Sequence, residues 1–281
     1  MNDNLINRQK FLKLLGIVTF GMMTPFGCVG GNRYNTQDIL RLSKQRQRER
    51  EESGQGQFGI HRYRGYKGLS ELPYFELNQK GRLICVVDDL PPIIDFHVHL
   101  GTSVLFAPKI DLHVRTNKVS HLLDCDMETP GCELDLDVYA NANFTDKDLK
   151  GLRRDVLGQI FWGSARAETH TIPNLIDEMT DMGVKRAVLL PIIFGLPYRD
   201  DSSELWYSAV RKADETNRLL LGASVHPRDV NAIEKLRTQA ARGARVIKLH
   251  PAAQRFYPDS PKLHTIYEEC RRLGIVVFFH G

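Results

Sequence analysis

Ile93-Ile94-Asp95-Phe96-His97-Val98-His99 decides the fold. It is an apolar run that opens after Pro91-Pro92 and ends in His-x-His, and it predicts a strand over 93–99. Further apolar runs predict strands at 184–191, 219–225, 245–250 and 274–280. They are near-continuous, as parallel strands covered on both faces must be. Helical periodicity fills the gaps at about 171–182, 202–217, 229–242 and 260–273. Leu175, Met179 and Met182 recur at helical spacing, for example, and Gly183 stops that helix. Repeated strand–helix units imply an α/β domain with a parallel sheet, open or closed.

The segment before this array reads differently. Tyr74-Phe75-Glu76-Leu77 and Arg82-Leu83-Ile84-Cys85-Val86-Val87 flank Asn78-Gln79-Lys80-Gly81, which predicts a β-hairpin with its turn glycine in place. Residues 29–57 lack apolar periodicity and hold the charged run Arg41 to Glu52, then Ser53-Gly54-Gln55-Gly56. They read as a flexible linker or a solvated helix followed by a linker. Residues 1–28 join a basic stretch, Asn7 to Lys13, to the apolar run Leu14 to Gly27. That run is shorter than the roughly 20 residues a membrane span needs, and the layout is that of an export signal. Gly27-Cys28 resembles a lipoprotein cleavage site, which makes Cys28 the candidate lipidation site and predicts an exported protein, periplasmic or outer-surface, with a membrane lipid anchor.

The chain of 281 residues, 42% hydrophobic and 26% charged, has the composition of a globular protein. Its net charge of +4 owes much to the N-terminal arm, so nucleic-acid binding is not implied. The three parts are therefore 1–28, 29–57 and a domain over 58–281, with a lid-like insertion at 101–170. The insertion follows the first strand, is rich in acids (Asp124, Asp126, Glu128, Glu133, Asp135, Asp137) and holds a predicted helix near 146–160. Cys125 and Cys132 flank a Pro-Gly turn and either bridge in an oxidising compartment or stay free, whereas Cys85 and Cys270 read as core residues.

The polar residues at strand ends carry the chemistry. Asp95, His97 and His99 share one face of their strand, and two imidazoles so placed can converge on one ion. Gly101 follows and leaves room for a ligand. Val246-Ile247-Lys248-Leu249-His250-Pro251 puts Lys248 and His250 on one face of another strand end. A lysine inside the sheet must pair with an acid such as Asp95, lose its proton or be carboxylated. His280 ends the last strand. His226, before Pro227, either lines the pocket as a substrate-binding group or is a loop histidine.

Asp95-Phe96-His97-Val98-His99-Leu100-Gly101, Ile247-Lys248-Leu249-His250-Pro251 and Phe278-Phe279-His280-Gly281, in this order, resemble the amidohydrolase superfamily over residues 73–281. The most similar branch is the amidohydrolase-related group, which includes metal-dependent decarboxylases of aromatic acids and related hydrolases. The resemblance implies a (β/α)8 TIM-barrel type fold, preceded here by the hairpin. It implies metal ligands at His97, His99 and His280, with Lys248 on the fourth strand as a further ligand if carboxylated. Zinc or another divalent metal, as one or two ions, would act on a small-molecule substrate. A metal-activated water would attack a carbonyl or ester carbon, with Lys248 and His250 as candidate catalytic groups and His226 as a candidate substrate contact. The alternatives are a non-oxidative decarboxylase of an aromatic or unsaturated acid, and an inactive remnant or tethered binding protein. The family's strand-eight Asp has no counterpart before Gly281, so the chain is expected to hold about five of eight strands as a C-terminally truncated barrel. Oligomeric state stays open.

Overall fold

A computed structural model describes residues 36–121, 132–138, 143–144, 162–200, 202–213, 215 and 217–280, with 151, 155, 158 and 159 between them. The export signal, Cys28, Cys125 and most of the helix expected near 146–160 lie outside the described residues. The chain divides into two compact units, Met1–Gln45 and Arg46–Gly281. In the first, the described residues belong to helix α1 (Thr36–Glu51), which carries the charged run. No described helix is long and apolar enough to cross a membrane.

In the second unit, strands β1 (Tyr63–Arg64), β2 (Phe75–Leu77) and β3 (Leu83–Cys85) precede the main array. β2 and β3 form the expected antiparallel hairpin. Its turn works because Asn78 accepts from the Lys80 and Arg82 amides through its side chain while Gly81 takes a φ of +66°. β1 pairs with β5 (Glu133–Leu134) in the insertion. Beside that pair the Asp135 carboxylate bonds Ser53 and Arg62, and the Asp137 carboxylate accepts from the Phe58 amide, so residues 53–62 are fastened to the insertion.

The main array alternates β4 (Ile93–Val98), α3 (Ile172–Asp181), β6 (Val184–Leu189), α4 (Ser202–Ala213), β7 (Leu219–Leu221), α5 (Ala232–Ala241), β8 (Val246–Leu249), α7 (Pro261–Leu273) and β9 (Val276–Phe279). A four-residue turn between β8 and α7 is α6 (Pro251–Gln254), and another after β1 is α2 (Gly65–Gly68). β4, β6 and β7 pair in parallel in that order, as do β8 and β9. The two sheets join at Ala223, whose amide donates to the Val246 carbonyl at 2.7 Å and whose carbonyl accepts from the Lys248 amide at 2.9 Å. The strand expected over 219–225 ends early for a local reason. At Gly222 a Cβ would meet the Leu189 carbonyl at 3.1 Å and the Val246 carbonyl at 3.3 Å; its amide still donates to the Leu189 carbonyl at 2.8 Å, and from Ala223 the chain pairs with β8 instead of β6.

The helices form where their apolar stripes find cover. Leu263, Ile266 and Cys270 on α7 and Leu236 and Ala240 on α5 bury against Ile247 and Leu249 of β8. Ile172 and Met179 on α3 and Trp206 and Val210 on α4 do the same against Ala187 and Leu189 of β6. Pro173 and Pro261 open α3 and α7, and Gly274, at a φ of +65°, closes α7. Arg237 of α5 grips Glu269 of α7 through two bonds, at 2.8 and 3.1 Å.

The domain is thus mixed α/β with parallel strands, and among the described residues the strands do not close into a barrel. The edges stay open. Phe96 of β4 is 49% exposed and Val276 of β9 is 61% exposed. The sheet nevertheless curls. Five flat strands would hold the outer two roughly 19 Å apart, yet the His97 ring on β4 lies 5.3 Å from Phe278 of β9.

Candidate metal centre

The curl gathers the strand-end side chains on its concave face. His97 is the hub. Its ring centre lies 5.1 Å from that of His99, 5.8 Å from that of His280 and 5.3 Å from that of Phe278, and its Nε2 is 3.0 Å from Lys248 Nζ. Lys248 Nζ sits 4.6 Å over the Phe278 ring. His250 stacks on His280 with centres 3.9 Å apart and planes 18° from parallel. His99 meets Trp206 edge-on at 6.3 Å. Residues from β4, β8 and β9, more than 150 positions apart in part, so meet at the C-terminal ends of parallel strands, where α/β sheets bind ligands.

Backbone bonds fix these positions. The Asp95 carboxylate accepts from the His97 amide at 2.9 Å, and the His280 amide donates to the Leu249 carbonyl at 3.0 Å. Asp95 therefore holds the His97 backbone and does not pair with Lys248, the partnership the sequence offered as one option. Lys248 is 1% exposed, and among the described residues its side-chain partners are His97 and the Phe278 ring. No described carboxylate bonds the side chain of Lys248 or of any of the four histidines. Gly101, expected to leave room for a ligand, instead admits the insertion: a Cβ there would lie 2.2 Å from the Ala167 carbonyl oxygen.

The electrostatics follow from burial and from the mutual proximity of these groups, opposed at His97 by the Asp95 carboxylate. Burial lowers Lys248 to about 8, because nothing negative offsets its lost hydration. Burial, with His97 and Lys248 nearby, lowers His99 to about 4. Burial, then His280 and Lys248, lowers His250 to about 4. Burial and Lys248 lower both His97 and His280. The imidazoles are neutral at pH 7 and present lone pairs rather than charge.

Neutral imidazoles suit zinc and similar ions. Zinc lies about 2.0–2.1 Å from an imidazole nitrogen, so two rings on one tetrahedral ion have centres about 5 Å apart. The His97–His99 spacing of 5.1 Å meets that requirement, and the His97–His280 spacing of 5.8 Å exceeds it by less than 1 Å. The aim of the nitrogens does not yet meet it. Among the described residues no three His, Cys, Asp or Glu side chains form a ready ligand group, and His97 Nε2 is held by Lys248. The donor set and ring spacing fit a divalent cation once Lys248 releases His97.

His226 is engaged elsewhere. Its ring packs against Gly195, where a Cβ would come within 2.6 Å of it, and its Nδ1 accepts from the Arg228 amide at 3.2 Å. Burial lowers its pKa first, and Arg228 adds to the effect. One residue escaped sequence reading entirely. Gln254, 1% exposed, donates to the Ile193 and Val225 carbonyls at 2.7 and 2.9 Å and accepts from the His250 amide at 2.9 Å. It pins together the chain segments that follow β6, β7 and β8. A glutamine after a strand-end His-Pro carries no periodic signal, so only the fold reveals it. Among the described cysteines, Cys132 is disulfide-bonded to a partner outside the described residues, and Cys85 and Cys270 are free.

No family model matches this chain, and no curated protein matches it.

Proposed function

We propose that the chain carries the metal site of an amidohydrolase-type, metal-dependent hydrolase, with β4, β6, β7, β8 and β9 as the first five strands of a (β/α)8 barrel. One observation carries the reading: His97, His99, His280 and Lys248, from three separate strands, converge on the concave face of a curled parallel sheet with ring spacings suited to a tetrahedral ion. His97, His99 and His280 would hold a zinc-like ion, and Lys248 would join them if carboxylated. A cation there supplies a water acidified toward neutral pH for attack on a carbonyl or ester carbon. Lys248, lowered to about 8, is partly neutral at pH 7, and only the neutral amine can add carbon dioxide, releasing a proton and becoming an anionic ligand. Export and anchoring through Cys28 belong to the same proposal: a tethered enzyme acting outside the cytoplasm on a small molecule.

A second reading, a metal-binding protein without turnover, has one observation in its favour: the Asp95 carboxylate is bonded to the His97 amide, and no described carboxylate bonds the side chains of these residues to serve as general base. The experiment separates the two. The 281-residue chain is loaded with Zn²⁺, Mn²⁺ or Co²⁺, and metal content and turnover of simple esters, amides and aromatic acids are measured. We expect bound metal and a loss of affinity of about 10-fold or more in His97→Ala. Hydrolysis supports the hydrolase, carbon dioxide release points to the decarboxylase, and metal without turnover points to the binding protein. A parent chain that retains no metal would sink all three.

A further inference from the structure

We infer that His250 is not a metal ligand but a fixed hydrogen-bond donor, presenting its Nε2–H to a carbonyl or carboxylate oxygen of the substrate. The substrate assignment rests on the metal-site reading above; the donor assignment does not, because it follows from local bonds alone.

His250 is held at three points. Its backbone amide donates to the buried Gln254 side chain at 2.9 Å. Its ring Nδ1 accepts from the Ala253 amide at 3.2 Å, capping α6. Its ring face stacks on His280 at 3.9 Å. Pro251 follows and further restricts the backbone, which sits at φ −118° and ψ 91°.

The second bond fixes the tautomer. A backbone N–H can be accepted only by a nitrogen with a lone pair, so Nδ1 carries no proton. The ring proton is then on Nε2. For His250 to bind a cation through Nε2, that proton would have to move to Nδ1 and face the Ala253 N–H, donor against donor. His250 is therefore set apart from the proposed ligands by what its ring meets in the backbone.

The donor sits in a useful place. His250 follows Lys248 by two residues, so both project from the same face of the strand end. His250 stacks on His280, a proposed ligand, and is only half-buried, so a substrate oxygen can reach it. A donor beside Lys248, whose side chain no described carboxylate bonds, suits an oxygen-bearing group with negative or partial negative charge.

The test begins with the full chain, metal-free at neutral pH, labelled with ¹⁵N-histidine. Long-range ¹H–¹⁵N correlation reports the tautomer of each ring, and His250 is assigned by the signal that His250→Asn removes. We expect an unprotonated Nδ1 and a protonated Nε2. Asn retains an oxygen that can cap Ala253, so the fold is kept while the Nε2–H is lost. Acetate and acetamide are then titrated into the zinc-loaded parent and variant. We expect unchanged zinc content in His250→Asn and a 10- to 100-fold weaker affinity (about the worth of one charge-assisted bond) for the probe that binds. We expect His250→Gln, which can place an amide N–H near the Nε2 position, to recover part of it. Acetate alone binding identifies a carboxylate, and both binding identifies a carbonyl oxygen. A proton on Nδ1, zinc loss in His250→Asn equal to that in His97→Ala, equal probe affinities, or binding of neither probe would overturn the inference. If the parent takes up no zinc, the metal reading fails, and the tautomer and the titration of the metal-free chain still decide the role of His250.

Discussion

Replacing Lys248 with Met should stabilise the metal-free chain at neutral pH, against the usual effect of removing a buried side chain. Lys248 is 1% exposed, is bonded by no described carboxylate and is lowered from 10.5 to about 8. The sign follows from linkage. A cation whose folded pKa is lowered destabilises the fold fully below about 8, and the penalty fades as pH rises toward its unfolded value. The gap corresponds to about 3 kcal/mol at pH 7. Against this, Met leaves His97 Nε2 without its 3.0 Å partner, a loss of about 1 kcal/mol on a ring that can turn to water. Met otherwise fills the same space over Phe278 and can contact that ring through sulfur. The net expectation is a gain of about 2 kcal/mol at pH 7, or about 4–8 °C in Tm, vanishing by about pH 10. Urea unfolding of parent and Lys248→Met in chelator, at pH 7 and pH 10, measures it. A destabilised variant at pH 7, or a gain that is the same at both pH values, would refute the claim that Lys248 is buried without an anionic partner. The same variant should bind metal no better than the parent, since stability and site chemistry oppose each other here.

Three further outcomes follow from the geometry. Gln254→Ala leaves two buried carbonyls and the His250 amide unpaired and should destabilise the chain by about 2–4 kcal/mol, read as a lower urea midpoint. Glu269, lowered to about 2 first by its bond to Arg272 and then by Arg237, contributes stability that is present above its unfolded value near 4.5 and is lost as pH falls through 2. Glu269→Gln should therefore flatten the acid limb of the stability profile over that range, and an unchanged limb would show the Arg237–Glu269 clasp to be inert. Gly195→Ala places a methyl 2.6 Å from the His226 ring at a φ of +75° and should lower stability by about 1–3 kcal/mol, measured by thermal unfolding, while leaving the zinc content unchanged.

The sequence by itself determined the elements and their order. Period-2 and period-3.6 patterns are local, and so are the signals that bound them, such as Pro261 and Gly274 around α7 or Asn78 and Gly81 in the hairpin turn. It also put His97, His99, Lys248 and His280 at strand ends, because a polar residue closing an apolar run can be read without knowing what lies opposite. Only the tertiary structure decided what each then meets. Asp95 spends its carboxylate on the His97 amide, so Lys248 is left with an imidazole and a ring face. Gly101 yields its space to Ala167, and His226 packs under Gly195. Gln254 becomes a three-way tie, and Ala253 sets the tautomer of His250. These outcomes depend on contacts between positions tens of residues apart, or on the direction of a single lone pair, and neither has a period that a sequence can display.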